Sequence, residues 1–474
     1  MEENIVRGAR HDSFEWDGAS RCHPETRKTI LQEIWEWTDD HNLESRILWL
    51  HGPPGAGKTA IVGTLCERLK AAGRLGGDYF FSRNARTDVK PLFTTISHYL
   101  ATTFPSVCKA IETLFADDPD VLHHTPDIQL RRLVIEPLLA FDNPNVSPLV
   151  IVIDGLDECE GRATQYRIIE QVFSVYRCND AIPNVRFVIA SRPEPWIHNK
   201  FTSERGELLH QVSLEQTAET SRDIRTYLQS GFQGICDDPN HQNRLSNITL
   251  PWPSPSDLDQ LVEKASGQFI YASTVLKFIN YPHAMLDERL KLVISLKSES
   301  PKPFAELDRL YTQILSMIPF PDQEKAILIL GAVLYVSAST DTYQNETLSI
   351  TELLLGLKAG ESYSALHSVH SLLHIPQSFP SAAHRDAMTP KGYKEWLKDG
   401  SHAVRFYHKS FPDFLEDRTR SGEFFIDKNA VNTKLAVGCT NILKGLSAEY
   451  ACSRLYCSKY TYTTIRTAPI FIHF

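Results

Sequence analysis

One octapeptide and its flanks constrain this chain more than anything else in it. Gly52-Pro53-Pro54-Gly55-Ala56-Gly57-Lys58-Thr59 follows an apolar run, Arg46 to His51 (RILWLH). It opens a stretch from Lys58 to Ala71 with Ile61, Leu65 and Leu69 in line. The first flank reads as a buried strand and the second as an amphipathic helix. The octapeptide fits G-x-x-x-x-G-K-[ST] at every specified position. Glycines let a turn wrap an anion with its N–H groups pointing inward, where a Cβ would intrude. The helix that follows presents its positive end to the same anion. In this pattern Lys58 reaches the outer phosphates of a nucleotide, and the Thr59 hydroxyl ligates a magnesium ion. The contact set runs from Gly52 to Ala60.

The second signal is LVIVIDGLDE, Leu149 to Glu158. An acid at the tip of a buried parallel strand faces the mouth of the sheet, where ligands bind in open α/β folds. Asp154 is thus the expected Mg²⁺ partner. Asp157 or Glu158 is placed to polarise an attacking water. A third signal is VRFVIA followed by Ser191-Arg192-Pro193. An arginine at a strand end beside a phosphate site stabilises phosphate charge. A fourth segment lies far downstream, Phe406 to Leu415 (FYHKSFPDFL). His408 there reads, on its spacing alone, as an ordinary packed residue.

Asp78 to Ser82 and Leu208 to Leu214 complete five strand candidates. Helical segments are expected from Pro24, with Ile30, Leu31, Ile34 and Trp35 on one face. Others are expected over Val89 to Thr103, Ile128 to Phe141 and Gln165 to Tyr176. Strands alternating with helices imply a parallel sheet covered on both faces. After Glu215 the pattern turns helical: Arg222 to Ser230, Asp257 to Asn280, Ala305 to Ser316 and Gln323 to Val336, then shorter mixed elements to about 440. PWPSPSD is expected to stop a helix, and SESPKP (Ser298 to Pro303) to mark a boundary. At roughly 150 residues per domain, a chain of 474 has room for about three.

Apolar residues make up 42% and charged residues 23%, which excludes a disordered or low-complexity chain. The net charge of −9 argues against a general nucleic-acid coat or a membrane-surface binder, since both need a basic field. A nucleic-acid partner is not expected. MEENIVRGARHDSF has no signal-peptide pattern, and the most apolar run, Ala326 to Val336, is about half of a bilayer crossing. No membrane span is expected. The nine cysteines form no CxxC pair and read as free thiols in a reducing cytoplasm.

Taken together, GPPGAGKT, LVIVIDGLDECEG, VRFVIASRPEPWI, GQFIYASTVLKFI, LDRLYTQIL and FYHKSFPDFLED resemble the fungal type of NACHT-domain protein, in the STAND class of P-loop NTPases. The similarity runs from about Gly8 to Asn441, in the family's motif order. It implies a P-loop parallel sheet of the ASCE type, then a small helical domain and a winged-helix-like α+β domain. The implied divisions are an N-terminal linker and helix over 1–45, a NACHT nucleotide-binding domain over 46–215 and a helical domain over 216–300. A winged-helix-like domain over 301–440 and a C-terminal tail over 441–474 follow.

Carried over by motif, Gly57, Lys58 and Thr59 are phosphate-loop contacts and Asp154 the Mg²⁺ aspartate. Asp157 and Glu158 are the acidic pair after it, and Arg192 the sensor arginine. His408 matches the winged-helix histidine that touches the β-phosphate of ADP. Cys22 to Arg27 resembles the stretch that folds over the adenine, and Gly267 to Ala272 the helical-domain packing beneath the nucleotide. The resemblance implies ATP, ADP and Mg²⁺ as ligands, closed ADP and open ATP states, self-association on activation and a protein partner not named by the residues. YCSKYTYTTIRTAPIFIHF departs from the family's continuation, which suggests an altered or truncated end. Two other classes stay open: a turnover ATPase of the AAA-like remodelling type or a P-loop kinase, and a nucleotide-binding scaffold without hydrolysis.

Overall fold

The five strand candidates assemble into one sheet. β1 (Ile47–His51), β2 (Leu75–Phe80), β3 (Leu149–Asp154), β4 (Val185–Ser191) and β5 (Leu209–Ser213) are all parallel, in the order β2-β3-β4-β1-β5. This computed structural model describes residues 5–13, 21–40, 44–82, 88–140, 147–177, 184–204, 206–241, 245, 248, 251–281, 285–296, 304–336, 347–358, 360–375 and 404–452. The chain divides into two compact units, Met1–Tyr227 and Leu228–Phe474.

Side chains of a strand alternate between faces, and here both faces are covered. Ile47, Trp49, Ile151, Ile153, Phe187 and Ile189 point to one side. They pack on α3 (Lys90–Thr103) and α4 (Pro105–Asp117), on the helical run of α5 (Pro126–Gln129), a π-helical turn (Leu130–Ile135) and α6 (Glu136–Leu139), and on α7 (Arg162–Arg177). Leu48, Leu50, Val150, Val152, Val188 and Ala190 point to the other side, against α1 (Lys28–Asp39) and α2 (Lys58–Ala71). Burying each such aliphatic side chain is worth about 1.5–3 kcal/mol. That two-sided burial explains why β1, β3 and β4 read as unbroken apolar runs. The acidic strand β3 and the loop strand β1 are not neighbours, because β4 lies between them. The result is an open, all-parallel α/β sheet covered by helices on both faces.

The local differences from expectation have physical causes. The first helix begins at Lys28, not Pro24, because Arg27 sits at φ 58 and gives its backbone N–H to the Asp223 carboxylate. Trp37 is buried where Ile30 and Trp35 were expected to be. α4 has no counterpart among the expected helices. Its Pro105 looks like a stop but stands in the first turn, where a missing N–H costs nothing. α8 (Pro195–Ser203) starts on a proline in the same way, and α9 (Ala218–Asp237) is longer than expected at both ends.

The second unit is mostly helical. α10 (Pro255–Ala265) and α11 (Phe269–Ile279) replace the single helix expected over Asp257 to Asn280. Ser266 and Gly267 break it, at φ 46 and φ 79. PWPSPSD starts a helix rather than ending one. The Ser254 side chain accepts the Asp257 N–H, and the Asp257 carboxylate accepts the Ser254 N–H in return, a capping box. α12 (Leu286–Ser295), α13 (Ala305–Ser316), α14 (Phe320–Val336), α15 (Thr347–Leu355) and α16 (Glu361–Leu366) follow. Then come an antiparallel pair of short strands, β6 (Leu373–His374) and β7 (Arg405–Phe406), and helices α17 (Ser410–Glu416) and α18 (Arg418–Ser421). A final helix, α19 (Lys428–Cys452), runs through the division expected at 440–441. Ser298 to Pro303 and residues 453–474 lie outside the described residues. Among the described residues no helix is long and apolar enough to cross a membrane. Cys22, Cys66, Cys108, Cys159, Cys236 and Cys439 are free thiols.

Candidate nucleotide site

The sheet register brings the separated motifs to one level. His51, the last residue of β1, pairs with Ser191 on β4 and Ser213 on β5. Ile153 on β3 pairs with Ile189 on β4. Gly52, Asp154 and Arg192 therefore all leave the sheet at its carboxyl edge. The indole N–H of Trp49 donates to the Ser191 hydroxyl at 2.9 Å, tying β1 to β4 just below that edge. Burial pushes the His51 imidazole pKa below its ordinary value.

The loop from Gly52 to Thr59 turns tightly. Gly55 and Gly57 adopt φ 75 and φ 92, where an L side chain is strained. Gly57 is the N-cap of α2, and no side chain caps that end. The Lys58 ammonium is 7% exposed and donates to the carbonyls of Gly52 at 2.7 Å and Pro53 at 2.9 Å. Pro53, Pro54 and Ala56 complete the loop, with the Ala56 N–H closing on the Pro53 carbonyl at 3.3 Å. Ala60 lies in the first turn of α2.

The Thr59 hydroxyl donates to Asp154 Oδ2 at 2.8 Å across 95 positions of sequence. Asp154 is 3% exposed. A hydroxyl from the start of α2 and a carboxylate from the end of β3 offer a hard, all-oxygen donor set, the chemistry Mg²⁺ takes. These residues fit that ion. The acidic turn after β3 separates into two roles. Asp157 holds Arg192, accepting its backbone N–H on Oδ1 at 2.9 Å, with Arg192 Nε 3.3 Å from Oδ2. The Glu158 carboxylate lies over Gly155, where an added Cβ would stand 3.3 Å from Oε1.

Arg27 is a participant that the motifs mark only as the end of a segment. Its guanidinium is buried and donates to the Ala56 carbonyl at 2.8 Å and to the Thr220 hydroxyl at 3.2 Å. Its backbone N–H goes to Asp223 at 3.0 Å. Arg27 thereby joins the N-terminal segment, the loop and the first turns of α9. Its partners on α9 lie 193 and 196 positions away, so no local pattern announces them. The Cys22 N–H donates to Thr64 of α2 at 2.9 Å, and burial raises the Cys22 thiol pKa to about 11.

His408 belongs to the second unit. Its Nδ1 accepts the Ser410 N–H at 3.1 Å and lies 2.7 Å from the Ser410 hydroxyl. A neutral ring so held carries its proton on Nε2. The Tyr311 hydroxyl lies 2.7 Å from the same Ser410 hydroxyl, and Phe411 and Phe414 pack around Tyr311.

A family model described as "Nephrocystin 3, N-terminal" matches residues 25–192. Vegetative incompatibility protein HET-E-1 of Podospora anserina is 22% identical over 330 residues, which are 68% of this chain and 22% of that protein. Over those spans the chain is similar to both proteins. Arg27, the loop, Asp154, Asp157, Glu158 and Arg192 all fall inside the matched span 25–192, and His408 falls outside it. The chain spans about a fifth of the length of HET-E-1. Among solved structures, Cdc6p from Pyrobaculum aerophilum aligns with a TM-score of 0.37 at 14% identity, over 76% of this chain and 90% of that one. Drosophila ORC bound to DNA aligns with a TM-score of 0.31 at 11% identity, over 85% of this chain and 96% of that one.

Proposed function

We propose that this chain binds ATP and ADP with Mg²⁺ at the loop Gly52–Thr59 and works as a nucleotide-dependent switch. In this reading it hydrolyses ATP slowly, holds ADP in a closed state and self-associates in an open ATP state. The observation that carries the reading is the meeting of Thr59 and Asp154 beside the turn formed by Gly55 and Gly57.

The chain's own groups divide the work. Loop N–H groups and the uncapped start of α2 face the phosphates. Lys58 exchanges loop carbonyls for phosphate oxygens. Thr59 and Asp154 hold Mg²⁺, which neutralises phosphate charge and orients the outer phosphate. Asp157 is committed to Arg192 and so aims the guanidinium at the outer phosphate. Glu158, on the same acidic turn, polarises the attacking water. His408 offers its Nε2–H to the β-phosphate of ADP in the closed state, as the family resemblance implies. A ligand shifts two states only by its different affinity for them, and a contact made to ADP alone supplies such a difference. The downstream effector is a protein partner whose identity lies outside this chain.

The test is the nucleotide carried by purified protein. Heat release and ion-exchange chromatography should find close to one ADP per chain. Multiple-turnover assays should show far less than one ATP hydrolysed per second, and ATP should shift elution in size-exclusion chromatography to larger species. Protein that carries no nucleotide and takes up neither ATP nor ADP with Mg²⁺ rejects the reading. Many turnovers per second would instead indicate a remodelling ATPase.

A further inference from the structure

A second cluster of chemistry-bearing side chains sits away from the loop, in the same unit. Asp78 stands in the middle of β2 with its side chain fully buried. Cys66 faces it from α2, also fully buried. His11 reaches it from the N-terminal segment and is 5% exposed. His11 Nδ1, Cys66 Sγ and an Asp78 carboxylate oxygen all lie within 4.8 Å of one another.

A carboxylate in the core of a sheet costs several kcal/mol unless it is compensated. Part of the compensation is visible. The His11 backbone N–H donates to Oδ2 at 2.6 Å, His11 Nδ1 lies 3.0 Å from the same oxygen, and Arg10 Nε is 3.6 Å from Oδ1. Arg10 also lies over the Tyr99 ring, 4.3 Å from its centre. Hydrogen bonding accounts for His11 and an ion pair for Arg10, but neither accounts for a thiol converging on the same point.

One nitrogen, one sulfur and one oxygen donor form a ligand set for a borderline-soft divalent ion. Zinc bonds at about 2.0–2.3 Å place tetrahedral donors roughly 3.3–3.8 Å apart. The three donors lie within 4.8 Å of one another, with Nδ1 and Oδ2 3.0 Å apart, so a small inward movement of the thiol brings them to that spacing. Arg10 stands nearest Oδ1, so the oxygen that faces the imidazole is Oδ2, which also accepts the His11 backbone N–H and keeps a second lone pair for an ion. Magnesium and calcium prefer all-oxygen sets, so a thiol excludes them as occupants.

We propose that His11, Cys66 and Asp78 form a zinc-type site that clasps the N-terminal segment, residues 5–13, onto α2 and β2. The thiol proton leaves to solvent on binding, and the imidazole proton resides on Nε2 while Nδ1 takes the metal. A water or backbone oxygen completes the tetrahedron. The site is structural and independent of the nucleotide reading.

The experiment titrates purified full-length chain with zinc chloride, and separately with cobalt chloride. Wild type should bind one ion tightly, show a thiolate-to-cobalt charge-transfer band, and gain protection of its N-terminal segment from limited proteolysis. Cys66→Ser and His11→Ala should each weaken binding by at least the ~100-fold that even changes outside the ligand shell can produce. His11→Ala lies in a terminal segment, so it reports even where Cys66→Ser fails to fold. Lys58→Ala should keep the zinc site, which separates it from the loop. Equal zinc affinity in wild type and His11→Ala, or a cobalt spectrum without the thiolate band, overturns the proposal.

Discussion

The Asp157 carboxylate grips Arg192 at two points, its backbone N–H at 2.9 Å and its Nε at 3.3 Å, with the Asp157 side chain 4% exposed. In the proposed mechanism the two neighbouring acids therefore have different duties. Glu158→Gln should lower ATP hydrolysis by about 10²-fold or more, the usual worth of a positioned base, and leave ATP affinity within a few-fold. Asp157→Asn should weaken the hold on Arg192 and lower hydrolysis as well. Single-turnover hydrolysis and a binding titration on each variant check this. Unchanged hydrolysis in Glu158→Gln removes Glu158 from the role of base.

Removing the ammonium or the metal donors should act on binding itself. Lys58→Ala should abolish measurable ATP and ADP affinity. Thr59→Ala and Asp154→Asn should make affinity nearly indifferent to Mg²⁺, because both donors to that ion meet at this one point. Isothermal titration with and without Mg²⁺ is the measurement.

Arg27 holds the carbonyl of Ala56 and so fixes which way that loop peptide faces. Hydrogen bonds to a charged group contribute about 1.5–3 kcal/mol. Arg27→Ala should therefore weaken ADP binding by about tenfold or more and lower the melting temperature. Arg27→Lys should recover little of either, since one ammonium cannot span Ala56 and Thr220 with a guanidinium's geometry. Nucleotide titration and thermal melts of the two variants decide it.

Gly52 has no room for a side chain. A Cβ there would stand 2.7 Å from the Leu214 Cβ and 3.0 Å from the Leu214 carbonyl oxygen, and backbone cannot swing aside as a flexible side chain can. Gly52→Ala should destabilise the nucleotide unit by about 1–3 kcal/mol, the range for overpacking. Gly234→Ala, on a helix with open space around it, serves as the control. Chemical denaturation curves of the two compare them directly.

His370 stacks on Tyr281, 4.3 Å between ring centres, and donates Nδ1–H to the His367 carbonyl. Burial, with Arg289 and His367 nearby, pushes its pKa down to about 4. In the unfolded chain an imidazole takes its proton near pH 6.5. Between those values the unfolded state binds a proton that the folded state refuses. Stability is then complete above about pH 6.5 and falls as pH drops towards 4. Melting temperature should fall more steeply from pH 7.5 to pH 5 in wild type than in His370→Phe. Parallel falls count against His370 as the source.

Much of the nucleotide unit was legible because its signals are local. β1, β3 and β4 are short apolar runs bounded by turn residues, and the loop declares itself within eight positions. Pairings across long separations were not legible. Nothing near Asp78 in the sequence points to His11, 67 positions away, nor does anything near Arg27 point to Thr220. Pro24 suggested a helix start that the φ of Arg27 forbids, and the helix that begins at Pro105 was not among those expected. In the second unit, Ser266 and Gly267 adopt left-handed backbone inside an apolar pattern that reads as continuous helix.

β4 stands between the two strands that carry the site's chemistry. Neighbouring strands lie about 4.8 Å apart, so β1 and β3 are held roughly twice that distance from each other by a third chain segment. Val188 and Ile189, fully buried on opposite faces of that segment, pack against the helices that cover the two faces of the sheet. A larger side chain at Val188 pushes α2 away from the sheet and so separates Thr59 from Asp154 without touching either. Loss of the proposed nucleotide binding can therefore originate in residues that no ligand ever meets.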